Sequence, residues 1–208
     1  LETFEMTDQL QALRDDIGFL RELAEVGRSP QLQEGSTLIA AGTIFSLASL
    51  GQWAVVSGLL PRLSPWISPG IWSAAMVAFV SALIVLRRVM DGRTSEAGAK
   101  GMKLAWQGVG WTIFTLFACA QIIAWRTQSY FPLLMLPSAI LALYGLGWMV
   151  AAGLTRKTWV WTTAFGAFVA ALGVAALCQS PALFLVFAAA LVLLAVIPGL
   201  IMVRQAAA

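Results

Sequence analysis

Six stretches of this chain run the length of a bilayer crossing with almost no ionisable side chain away from their ends. A hydrocarbon layer about 30 Å thick needs roughly 20 apolar residues per helical crossing. The stretches 37–59, 70–86, 104–125, 132–153, 158–177 and 182–203 meet that need, the second being short and borrowing interfacial residues at both ends. Charged residues make up only 11% of the 208, and hydrophobic residues 60%. A soluble domain carries about 25% charged residues, and a globule of this size has too little interior to hide the apolar excess. The sequence therefore predicts an all-α, polytopic membrane protein: a six-transmembrane-helix bundle with a short N-terminal amphipathic cytoplasmic helix.

That helix is predicted over 8–26, within a cytoplasmic segment 6–36. Asp8 and Gln11 have capping-box spacing, and Gly27 with Ser29-Pro30 supplies a stop. Leu10, Leu13, Ile17 and Leu20 recur at three and four residues and form one apolar stripe. An isolated helix of this length is marginal in water, so the stripe reads as a docking surface for a partner. Residues 1–5 precede Met6 and open on Leu-Glu, a common cloning junction; they are either vector-derived or native and are set aside from the functional reading. Residues 205–208 form a short cytoplasmic tail.

Charge counting gives the expected orientation. Arg14, Arg21 and Arg28 precede the first span. Arg87, Arg88, Arg93, Lys100 and Lys103 lie between the second and third, Arg156 and Lys157 between the fourth and fifth, and Arg204 after the last. These fall on one side, leaving Arg62 and Arg126 on the other, so the positive-inside rule puts both termini in the cytoplasm. All ten carboxylates fall on that same side. The formal charge of +3 is thus a membrane-topology signal, and no nucleic-acid partner is expected. Arg87, Arg88, Arg93, Lys100 and Lys103 are expected to meet anionic lipid headgroups. A short acidic helix followed by six small-residue-rich spans resembles small bacterial inner-membrane proteins. The resemblance implies that membrane as the location and implies no activity.

The chemistry available inside the spans is sparse. The chain has no histidine, which removes His-based metal ligation, haem ligation and general base catalysis. Cys119 and Cys178 match no metal-binding spacing and read as buried apolar thiols rather than a disulfide. No carboxylate or lysine stands at mid-depth, so the usual material for proton or sodium coupling is missing. No catalytic residue, metal or cofactor is expected. What remains is amides and hydroxyls. Gln52, Gln107, Thr115, Gln121 and Tyr144 are the candidates for cavity or interhelical polar contacts, with Gln52 and Gln121 placed to share one cavity.

Packing signals are clearer. Gly35, Gly42 and Ser49 recur every seven residues in the first span. Gly101, Ala105 and Gly108, and Gly166, Ala170 and Gly173, form small-residue stripes expected to let backbones approach closely. Pro198-Gly199 and Pro137 are expected to kink the last and fourth helices. The tryptophans are expected to form two interfacial belts, with Trp106, Trp148, Trp159 and Trp161 in the inner one. A chemically inert bundle beside an amphipathic helix points to a noncatalytic accessory, regulatory or assembly subunit, in contact with membrane lipid and with a protein partner or another copy. The alternative is a small transporter or channel for a neutral or apolar solute.

Overall fold

Hydrocarbon offers no water to backbone N–H and C=O groups, so a chain that crosses it must satisfy them within its own helices. The computed structural model, which describes residues 33–60, 67–90 and 97–207, meets this demand with six long apolar helices. They are α1 (Gln33–Val56), α2 (Ile67–Met90), α3 (Ala97–Thr127), α4 (Phe131–Thr155), α5 (Thr158–Ala176) and α6 (Ala182–Ala206). The protein is an all-α, multi-pass membrane bundle. The segments predicted to form the 8–26 helix and its docking stripe lie outside the described residues.

The helices run past the expected boundaries where polar residues suit a helix end. α1 is helical from Gln33, the first described residue of its segment, rather than from 37, and so includes Glu34. α2 starts at Ile67, with Pro69 in the first turn where its missing N–H costs nothing. Turns are closed by residues in the left-handed region: Gly58 (φ 79°), Gln128 (φ 53°), Arg156 (φ 54°) and Gln179 (φ 71°). The Arg156 N–H bonds back to the Ala152 carbonyl at 2.8 Å and ends α4.

Contacts order the helices as an arc: α2 against α1, α1 against α6, α6 against α5, α5 against α4, and α4 against α3. The two end helices are the spans least buried inside the bundle. The buried share is 6% for α2 and 11% for α3, against 39% for α1 and 44% for α6. The core therefore lies among α1, α4, α5 and α6, around Leu141, Trp148, Ala167, Val174, Leu183 and Phe187.

The α1–α6 seam is where the seven-residue pattern is used. A Cβ on Gly35 would stand 2.9 Å from the Gly199 carbonyl oxygen, and one on Gly199 would stand 2.7 Å from that of Gly35. A Cβ on Gly42 would stand 2.7 Å from Val196 Cγ2. Only glycine fits at these positions, and the two backbones touch. The stripes expected to do the same in α3 and α5 do not. Gly108 and Gly173 face open space, and Gly101 and Gly166 make ordinary side-chain contacts. The close approach on α4 is made instead by Gly145 beneath the Phe168 ring and by Gly147 beneath Trp106. Small residues permit contact; the neighbouring helix decides which of them is used.

Both proline expectations resolve into local devices. Pro137 falls in the first turn of Leu136–Thr155, after a break at Met135 that follows the short turn Phe131–Leu134. In α6 the helix stays continuous but widens into a π-turn at Val192–Val196, just before Pro198. A proline ring clashes with the carbonyl four residues back and gives it no N–H. That carbonyl belongs to Leu194. The π-turn makes room for the ring, and the Trp148 indole N–H donates to the Leu194 oxygen at 2.9 Å.

Candidate functional site

One face of α1 carries Ser46, Ser49 and Gln52, the buried polar residues among those described. Their spacing of three puts them on one side of the helix. Ser46 Oγ donates to the Ala188 carbonyl at 3.0 Å, and Ser49 Oγ to the Phe184 carbonyl at 2.7 Å, both on α6. The Ala188 oxygen also accepts the Val192 N–H of its own helix, so it uses both lone pairs. Gln52 turns to α2, where its Nε2 donates to Ser68 Oγ at 3.0 Å. Its Oε1 is buried and has no partner among the described residues. Exchanging the amide nitrogen and oxygen would move the unpaired atom without removing it.

A second constellation lies towards the basic end of the bundle. Trp148 is 1% exposed and sits between Trp106 (ring centroids 5.1 Å apart, edge-on) and Trp159 (6.2 Å, tilted). Tyr144 closes on Trp106 at 5.8 Å. Trp148 is thus a core residue, not a member of the inner belt: its indole N–H is needed at Leu194. Trp125 and Trp161 do lie on the outer surface of the bundle. Among the described residues, Trp106 Nε1 and Trp159 Nε1 are buried donors without partners, and Glu34 Oε1 is a buried acceptor without one. Lys103 supplies the countercharge acting on Glu34. Lys157 Nζ donates to Gln205 Oε1 at 2.7 Å and ties the α4–α5 turn to the end of α6.

The residues singled out from sequence are spread over the molecule. Gln52 is buried between α1 and α2, and Tyr144 is buried in α4. Gln107, Thr115 and Gln121 are exposed on α3, and the Thr115 hydroxyl is spent on the Trp111 carbonyl of its own helix. Gln52 and Gln121 do not meet. A groove of about 320 Å3 does run between α3 and α4, but apolar residues line it apart from Thr112, whose hydroxyl bonds the Gly108 carbonyl. Arg87, Arg88 and Lys103 are exposed near the basic ends of α2 and α3. Arg93 and the Lys100 side chain lie outside what is described. Both cysteines are free, and Cys119 is exposed on α3 rather than buried.

Sequence reasoning missed two participants. Trp148 was signalled by Pro198, since a mid-helix proline orphans a carbonyl that some donor must meet. Glu34 was counted with the cytoplasmic segment, although it lies within α1. Among the described residues, no group of His, Cys, Asp and Glu is placed to hold a metal ion. The chain matches no family model, no curated protein and no solved structure.

Proposed function

We propose that this chain is a noncatalytic accessory, regulatory or assembly subunit of the bacterial inner membrane, with both termini cytoplasmic, and that it recruits its partner through the 8–26 helix. The observation that supports this reading is the use made of the buried polar side chains. A route for a solute needs polar groups free to exchange partners along it. The α1 hydroxyls are instead committed to α6 carbonyls, and the Trp148 indole to Leu194. The polar interior works as helix–helix fastening.

The test is purification in mild detergent from its native membrane, with and without residues 8–26. A stoichiometric protein partner that is lost on deletion, while the bundle still elutes as a folded species, is the expected result. Unchanged recovery of the partner would sink the docking role. The unpaired Gln52 Oε1 favours the second reading, a small transporter for a neutral solute. Partner-free protein that releases a trapped neutral solute from liposomes, and loses this on Gln52→Leu, would make that reading the better one.

A further inference from the structure

α3 carries two amides on its outer surface. Gln107 and Gln121 are both exposed, and neither hydrogen-bonds to another described residue. At 1.5 Å per residue they lie about 10 Å on either side of Phe114. A hydrocarbon layer about 30 Å thick centred there contains both. A primary amide turned to lipid forfeits its hydrogen bonds, so these two positions call for a partner that lipid tails cannot provide.

Their spacing identifies it. Gln107, Phe114 and Gln121 stand at successive seven-residue intervals, with Gly110 and Phe117 three residues after the first two. This is the a/d pattern of a left-handed helix pair. Gly110 meets no atom within 4 Å and leaves the centre of the face open to close approach. An amide is both donor and acceptor, so each Gln is satisfied by the same residue of an identical helix at the same depth. A two-fold axis along the membrane normal brings Gln107 to Gln107, Phe114 to Phe114 and Gln121 to Gln121. A helix from another protein would need amides at matching depth, whereas a second copy carries them by construction.

We infer that α3 is the dimerisation helix of this protein, and that a second copy of the chain packs along its Gln107–Gly110–Phe114–Gln121 face. The inference is independent of the partner proposed for the 8–26 helix. It accounts for α3 being a membrane helix with little of its surface buried in its own bundle.

The full chain, with Cys119 and Cys178 replaced by Ser, is reconstituted in liposomes over a range of protein-to-lipid ratios. Single cysteines at 107, 110, 114 and 121 should form disulfide-linked dimers. A cysteine at 112, on the α3–α4 groove side, should not. In a fluorescence-transfer dilution assay, Gln107→Leu and Gln121→Leu should each lower the association constant about 3- to 10-fold. Both substitutions replace a lipid-facing residue with one that lipid accepts, so folding is preserved and is checked by helicity and monodisperse elution. Gly110→Leu should abolish the dimer without touching its own bundle. Three outcomes would overturn the proposal. They are a monomer at all ratios, crosslinking without the seven-residue period, or glutamine variants that associate as well as the parent.

Discussion

Replacing Trp148 with Phe tests the device that carries α6 past Pro198. The substitution keeps an aromatic ring in the core but deletes the donor that meets the Leu194 oxygen at 2.9 Å. The carbonyl is then orphaned, because Pro198 has no N–H to offer. An unsatisfied buried acceptor costs about 1–3 kcal/mol, with membrane measurements at the lower end of that range. The lost ring volume at a fully packed site adds about 1 kcal/mol. The expected total is about 2–3 kcal/mol. Pro198→Ala restores an N–H four residues beyond Leu194, so in that background the same Trp148→Phe should cost only the packing part, about 1 kcal/mol. The double-mutant cycle should therefore show a coupling of about 1–1.5 kcal/mol, near tenfold in the unfolding equilibrium. Reversible unfolding in mixed micelles measures all four corners. Costs that agree in the two backgrounds within about 0.5 kcal/mol would show that the indole does not serve the proline-orphaned carbonyl.

Other expectations follow from the same contacts. Gly42→Leu would drive a side chain into Val196, whose Cγ2 already stands 2.7 Å from an ideal Cβ, and should cost at least about 2 kcal/mol. Gly173→Ala, facing open space, should be neutral or stabilising by up to about 1 kcal/mol; equal effects in the same unfolding assay would remove the α1–α6 seam. Ser49→Ala should cost only about 0.5–1.5 kcal/mol, less than Trp148→Phe, because the Phe184 carbonyl keeps its own helix partner. A cysteine at 157 should react with an impermeant maleimide only from the cytoplasmic side; reaction from the outside would reverse the orientation.

The spans were legible because their length and lack of charge are properties of the sequence alone. Helix faces were not. In water, the inner face of a helix is apolar and the outer polar, and periodicity reports the difference. In lipid both faces are apolar, so nothing in the α3 sequence separates buried Val109 from exposed Thr115. The same loss hid which glycines touch. Gly35 and Gly108 look alike as letters, yet one meets a backbone and the other opens on the α3–α4 groove. Gln52 and Gln121 fared likewise: both are amides in the half of their helices away from the basic end, but one turns to α2 and the other outward. Trp148 was misassigned because tryptophan near a helix end ordinarily marks the interface; the proline that calls it inward lies 50 residues away on another helix.

The seam between α1 and α6 also constrains how the bundle is assembled. Its halves are the first and sixth of the six spans, so the glycine notches at 35 and 42 and the hydroxyls of Ser46 and Ser49 have no α6 surface until four further helices and α6 itself are made. The α4–α5 hairpin has no such wait, since its partners are adjacent in sequence and joined by a two-residue turn. Local contacts form before distant ones because closing a long loop costs entropy that only the finished contact offsets. The α4–α5 pair should therefore form early and α6 should complete the core. A chain ending at residue 181 should insert all five remaining spans yet be cleared rapidly by membrane proteases, and co-expressed residues 182–208 should restore its lifetime in a pulse-chase. Placing Leu at Gly42 should block that rescue, because it closes the notch α6 must enter. A truncated chain as long-lived as the full one would mean that α1 finds its place without α6, and the seam would then be a late contact of little weight.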